Sequence, residues 1–167
     1  MTRDANRRRN VLFLCTGNSA RSILGEALLN GLGGGTFQAF SAGSRPAGRV
    51  HPLALEVLAQ EGLPTHGLRS KSWREFVAPD APRLDIVLTV CDSAAKETCP
   101  IWPGHPVNVH WGIPDPAAAE GGGAAQRDAF VAAYATLRQR ISLLLALPMQ
   151  ELGERSLARR LRGIAEG

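Results

Sequence analysis

The sequence predicts an α/β domain, a small four-stranded parallel sheet flanked by helices. Three observations carry that reading. Short apolar runs alternate with stretches in which apolar residues recur every three or four positions, the pattern of strands separated by helices. The chain has 167 residues, which suits one domain. Its composition, 44% hydrophobic and 20% charged, can fill a core and is too apolar for disorder.

The elements follow in order. Residues 1–9 are polar and read as a flexible basic tail. Asn10–Cys15 is a continuous apolar run, so it is expected as a strand buried on both faces. Thr16–Ser19 has turn chemistry. Ile23, Leu24, Ala27, Leu28 and Leu32 form a helical stripe that stops at Gly33–Gly35. Thr36–Ser41 alternates as a second strand and runs into Ala42-Gly43-Ser44. Leu53, Val57 and Leu58 mark a helix over 52–62, with His51 at its start. Leu84–Val90 and Val107–Trp111 are the third and fourth strands. Residues 117–125, rich in alanine and glycine, read as a loop. Phe130, Tyr134, Leu137, Ile141 and Leu144 alternate steps of four and three along a long amphipathic helix, 126–147. Leu157, Leu161 and Ile164 mark a short basic helix. No repeat or linker interrupts the body, so the expected division is a tail (1–9), a main domain (10–147) and a C-terminal basic helical extension (148–167).

The formal net charge of +4 sits in the ends. Arg3, Arg7, Arg8 and Arg9 face only Asp4, and Arg155, Arg159, Arg160 and Arg162 outnumber the last acidic residues, whereas 11–150 is balanced. With few aromatic side chains for stacking, nucleic acid is not an expected partner. The apolar stretch Ile141–Met149 is too short to cross a bilayer, and Val11–Cys15 too short for a signal core, so a cytoplasmic location is expected. Three cysteines make no secreted disulfide framework; in a reducing compartment they are buried hydrophobes, metal ligands or reactive thiols. His51, His66, His105 and His110 show no ligand spacing, and no metal is assigned. Trp73, Trp102 and Trp111 read as packing residues, and Arg69, Lys71 and Arg74 as a solvated basic face.

The chemistry gathers where the first strand ends. Cys15-Thr16-Gly17-Asn18-Ser19-Ala20-Arg21-Ser22 joins a buried strand to a helix N-terminus. In an open parallel sheet that junction is where ligands bind. The unpaired N–H groups and the positive end of the helix dipole suit an oxyanion. Gly17 lets the backbone approach it, Asn18 tolerates a left-handed turn, and Arg21 offers a bidentate fork. The same groups would stabilise a thiolate on Cys15, making it a nucleophile.

This loop resembles that of the low-molecular-weight protein tyrosine phosphatases and the arsenate reductases built on the same fold. Ser41-Ala42-Gly43-Ser44, the strand ending in Thr89-Val90-Cys91, and His110-Trp-Gly-Ile-Pro-Asp115-Pro116 support the resemblance. It implies a small parallel sheet with the loop after its first strand, and Asp115 as the general acid. Read from the residues alone, Asp115 is more readily a turn residue before Pro116.

Cys91 ends the third strand and is placed to approach the Cys15 loop if the strands are parallel; Cys99 follows after seven residues, before Pro100. Arsenate reductases of the family resemble this arrangement, whereas phosphatases do not need it. The resemblance then implies reduction of arsenate to arsenite by a thiol cascade, with Cys15 as nucleophile and Cys91 and Cys99 as relay, and phosphate or sulfate as competing anions. Bringing Cys91 and Cys99 within disulfide reach requires the loop between them to fold back or unwind, so residues 91–104 are expected to be mobile. No tightly bound cofactor is implied, only an external thiol reductant, thioredoxin or glutaredoxin with glutathione. Ala20, where thioredoxin-coupled members carry Cys, and the long Cys91–Cys99 interval leave the donor open. The alternative is a phosphatase hydrolysing phosphate monoesters through a Cys15 phosphoenzyme. Against it, Asp115-Pro116 is followed by Ala117-Ala118-Ala119 rather than aromatic residues. Some members hold potassium behind the loop. Asn18, Glu26 and Ser41 could supply oxygens to such an ion, but with no fourth carboxylate in sight none is assigned.

Overall fold

The four apolar runs form one parallel sheet in the order β2-β1-β3-β4, with β1 spanning Arg9–Cys15, β2 Phe37–Gly43, β3 Ile86–Thr89 and β4 Val107–His110. The structure is a computed structural model that describes residues 7–97 and 100–166. The helices are α1 (Arg21–Gly33), α2 (Pro52–Gln60), α3 (Asp92–Lys96), α4 (Gly123–Leu145) and α5 (Glu154–Glu166), with 3-10 turns at Trp73–Phe76 and Pro116–Ala118.

β1 is central, and alternation along it serves two cores. Val11, Phe13 and Cys15 face α1, α2, α4 and α5, while Leu12 and Leu14 face Phe76, Leu84 and Trp102. Burial on both faces explains why the run is apolar at every position. The second face is covered by the turn around Phe76 and by Trp102 instead of a long helix. Gly25 of α1 is required by this packing, since a Cβ there would meet the Phe13 ring at 2.6 Å.

Strand order decides where the site lies. The chain leaves β1 toward β2 on one side and returns as β3 on the other, so the end of β1 is a topological switch point. Cys15 pairs in register with Gly43 of β2, and Leu14 with Thr89 of β3, which sets Cys15 beside the Val90-Cys91 end of the neighbouring strand.

Several boundaries differ from the sequence reading. Arg7 and Arg9 are held to the body: Arg7 grips the Asp85 carboxylate with both guanidinium nitrogens, at 2.7 and 3.1 Å, and Arg9 opens β1. Helix α4 begins at Gly123, inside the stretch read as a loop, because alanines favour helix and no proline follows Pro116 there. Residues 92–96, expected within a mobile loop, form helix α3. Helix α5 docks on the sheet: Leu157, Leu161 and Ile164 join the main core, and the buried Trp111 indole N–H donates to Leu161 O at 2.9 Å. Its arginines 155, 159, 160 and 162 stay exposed.

Candidate active site

The loop after Cys15 is shaped from outside. The carbonyls of Thr16, Gly17 and Ser19 accept from the N–H groups of Arg45, Ala47 and His51 at 2.8–3.0 Å. In a trans peptide the C=O of one residue and the N–H of the next point opposite ways. Turning those carbonyls outward therefore turns the Gly17, Asn18 and Ala20 N–H groups inward. The Gly17 N–H accordingly bonds the Cys15 sulfur. Helix α1 adds its own amides, because its N-cap, Ala20, makes no side-chain cap. Asn18 takes the left-handed conformation, φ 47°.

Two side chains in the loop serve scaffolding. Asn18 is fully buried, donates from Nδ2 to Ser22 Oγ at 2.8 Å and accepts the Lys71 N–H at Oδ1, also at 2.8 Å. The Asn18 side chain is thus turned away from any anion, and the Ser22 hydroxyl is already accepting one of its hydrogen bonds. Gly43 packs against the loop so closely that a Cβ there would overlap the Thr16 carbonyl oxygen and lie 3.1 Å from Asn18 N. Gly43→Ala is expected to weaken phosphate binding by about tenfold and to cost about 1–3 kcal/mol of stability, measured by calorimetric titration and thermal melting.

Arg21 opens α1 and reaches across to the segment after β4. One terminal nitrogen donates to Ile113 O at 3.0 Å and the other lies 3.8 Å from Asp115 Oδ2. Among the described residues its Nε finds no partner although it is buried, as expected of a guanidinium edge waiting for an anion. Asp115 also caps the turn at Pro116, accepting the Ala117 N–H at 3.0 Å, so the turn role and proximity to the loop coexist. Beyond it lies a hollow of about 360 Å³ walled by Ala118, Ala119, Ala129, Ala132 and Ala133, to which no aromatic ring among the described residues contributes.

The two described thiols meet. Cys15 and Cys91 are both buried and unbridged, and their side chains hydrogen-bond. Cys91 is the N-cap of α3: its sulfur accepts the Ala94 N–H at 3.3 Å and lies 3.6 Å from Thr16 Oγ1. The hydrogen bond from Cys15 is the main reason the Cys91 thiol is pulled down to about 5; burial opposes, and the Ala94 N–H and Thr16 add to the lowering. Cys15 is pushed up, first by that same hydrogen bond and then by burial, while Arg21 and the Gly17 N–H favour its thiolate. The sulfurs behave as one acid that loses its first proton easily and its second with difficulty. Proton transfer along their hydrogen bond can move the charge onto Cys15. Ultraviolet thiolate absorbance is therefore expected to show a first ionisation with a midpoint near 5. In Cys15→Ala that midpoint should move up, because Cys91 loses its strongest stabilising partner. Cys99 lies outside the described residues.

The basic segment 69–74 departs from the expected solvated face. Arg69 and Glu75 do form an exposed bidentate pair. Lys71, however, is buried: its Nζ lies 2.9 Å from Arg69 O and 3.5 Å from both Glu26 Oε1 and Ser41 Oγ. Burial pushes its ammonium down and the Glu26 carboxylate pulls it up. Ser41 Oγ in turn donates to Glu26 Oε1 at 2.7 Å. Of the oxygens that the family resemblance offers to potassium, those of Glu26 and Ser41 are thus engaged by the Lys71 ammonium and that of Asn18 by the Lys71 backbone N–H, and the residues do not fit a bound potassium ion. Among the described residues no cluster of three His, Cys, Asp or Glu side chains could hold a metal. Lys71 could have been found from Glu26, a carboxylate beside the apolar stripe of α1 that needs a cation once buried.

Three further contacts, one of Thr16 and two of His110, had no sequence signal. Thr16 Oγ1 donates to Glu97 Oε1 at 3.0 Å, tying the far end of α3 to the loop. His110 bonds Thr89 Oγ1 through Nδ1 at 2.8 Å and Asp92 Oδ1 through Nε2 at 2.9 Å, so it anchors the start of α3 and does not touch Asp115. His51 caps α2, its Nδ1 accepting the Leu53 N–H at 3.1 Å.

The fold and the site define a small parallel α/β protein whose loop of inward-turned N–H groups, with a cysteine at its base, lies at the switch point of the sheet. The low molecular weight phosphotyrosine protein phosphatase family matches residues 10–157, and the chain belongs to that family. Its relatives include an arsenate reductase of Bacillus licheniformis, 35% identical over 115 residues, 68% of this chain and 78% of that one. Among solved structures it is similar to an arsenate reductase in the phosphate binding state, with TM-score 0.68 and 26% identity over 83% of this chain and 97% of the other. It is also similar to a thioredoxin-dependent arsenate reductase of Corynebacterium glutamicum, with TM-score 0.58 and 26% identity over 84% of this chain but only 65% of that one.

Proposed function

We propose that the protein reduces arsenate to arsenite by passing two electrons from sulfur. The observation that carries this reading is the placing of two buried thiols, Cys15 and Cys91, on neighbouring strand ends, where each shifts the other's ionisation. A phosphatase needs the first thiol and has no use for the second.

Arsenate sits in the cradle of loop N–H groups with the Arg21 guanidinium beside it. The Cys15 thiolate attacks arsenic; a hydroxyl of arsenate, protonated by Asp115, leaves as water, and a Cys15–arsenic bond forms. The Cys91 thiolate then attacks the Cys15 sulfur. The sulfur–arsenic bond breaks with its electron pair on arsenic, which departs as arsenite, and a Cys15–Cys91 disulfide remains. Cys99 attacks Cys91, returning Cys15 to the thiolate and leaving a Cys91–Cys99 disulfide. An external dithiol or glutathione system reduces that bond. Arsenate reductase relatives and the phosphate-bound neighbour support the substrate class. The thioredoxin dependence of another neighbour supports a thioredoxin donor, and Ala20 keeps glutaredoxin with glutathione in contention.

The phosphatase alternative shares the cradle, but the alanine wall beyond Asp115 gives an aryl ring nothing to stack on. The test is arsenate turnover with thioredoxin and glutaredoxin systems supplied in parallel. One arsenite per donor disulfide formed is expected with one of them. Absence of arsenite with both, together with fast aryl-phosphate hydrolysis, would replace the reductase by the phosphatase.

A further inference from the structure

We propose that Lys71 is a positioning residue whose ammonium acts as an internal monovalent cation behind the oxyanion loop, making anion binding independent of any metal ion. The proposal rests on reading residues 15–22 as an oxyanion cradle.

The Lys71 and Glu26 side chains are only 8% and 12% exposed. A buried charge without a partner is strongly unfavourable, so each exists because of the other. The ammonium meets three oxygens from three elements: Glu26 of α1, Ser41 of β2 and the Arg69 carbonyl. This is what a small cation would do there, except that this one is tethered to the chain. The tether is also what fixes the loop. The Lys71 N–H holds Asn18 Oδ1, its carbonyl accepts the Gly43 N–H at 2.9 Å, and Ser70 Oγ donates to Gly17 O at 3.2 Å. The ammonium therefore pins the segment that keeps Asn18 left-handed and the Gly17 carbonyl turned outward. Without the ammonium, the Glu26 carboxylate would be left unneutralised directly behind a site for anions. Both effects point the same way, toward weaker anion binding.

The experiment is calorimetric titration of the reduced full-length protein with inorganic phosphate in choline, sodium, potassium and ammonium chloride at equal ionic strength. Phosphate affinity of the unaltered protein should vary by less than about twofold among the salts. Lys71→Ala should bind about tenfold more weakly in choline, and potassium or ammonium, which can enter the vacated space beside Glu26, should restore it to within about threefold. The double variant Lys71→Met with Glu26→Gln removes both charges while keeping bulk. It should fold with a similar melting temperature, bind phosphate weakly, and respond to no cation. It decides the matter if Lys71→Ala does not fold. Potassium activation of the unaltered protein, normal binding by Lys71→Ala in choline, or potassium rescue of the double variant would each overturn the proposal. Failure of the unaltered protein to bind phosphate in any salt would instead overturn the cradle itself.

Discussion

Cys15→Ser is expected to form no arsenite with any reductant, a loss of about 10⁴-fold or more against the unaltered protein. Two independent reasons give the size. A serine hydroxyl ionises far above neutral pH, and neither Arg21 nor the Gly17 N–H can lower it enough to make an alkoxide nucleophile. Even if an oxygen–arsenic ester formed, Cys91 could not attack oxygen to make a disulfide, so the electrons would have no route out of sulfur. The cradle should survive the change, because its geometry is set by the Thr16, Gly17 and Ser19 carbonyls bonded to residues 45–51 and not by the thiol. Phosphate should therefore still bind, within about threefold by calorimetry. Arsenite production above about 1% of the unaltered rate would remove Cys15 from the chemistry.

What the sequence discloses follows from where each signal resides. Asn10–Cys15 is legible because a strand buried on both faces must be apolar at every position, and the loop after it because its anion chemistry is local in sequence. The Cys15–Cys91 contact was reachable by one topological step, since parallel neighbours end on the same edge. The Lys71–Glu26 pair left a single signal, the Glu26 carboxylate beside an apolar stripe, and its partner was masked by its neighbours. Lys71 sits between Arg69 and Arg74, two charges that do lie toward solvent, and only the β2–loop packing carries it inside. Helix α3 was missed for another reason. Five residues have almost no periodicity, and its start is fixed by tertiary partners: the Cys91 sulfur on Ala94 N–H and His110 on Asp92. The docking of α5 depends on the Trp111 indole finding a carbonyl fifty residues away, which no local pattern encodes.

Cys91→Ser separates reductase from phosphatase most sharply. The first step should persist: Cys15 still faces the cradle, and its pKa should fall because the Cys91 hydrogen bond, the largest influence holding it up, is weakened. Arg21 and the Gly17 N–H then act on Cys15 with less opposition. Aryl-phosphate hydrolysis should therefore be kept within about fivefold and its activity should extend to lower pH. Arsenate reduction should stop after the Cys15–arsenic adduct, because serine cannot attack sulfur to release arsenite. Multiple turnover should fall by about 10³-fold or more. Helix α3 should remain, since a serine oxygen caps the Ala94 N–H at least as well as the sulfur does. A melting temperature close to that of the unaltered protein would exclude a trivial folding loss. The opposite outcome is equally readable. If Cys91→Ser still turned over arsenate at full rate with glutathione, an external thiol would be attacking Cys15 directly. The protein would then be a one-cysteine reductase, and the hydrogen bond between the two sulfurs would serve only to tune the nucleophile.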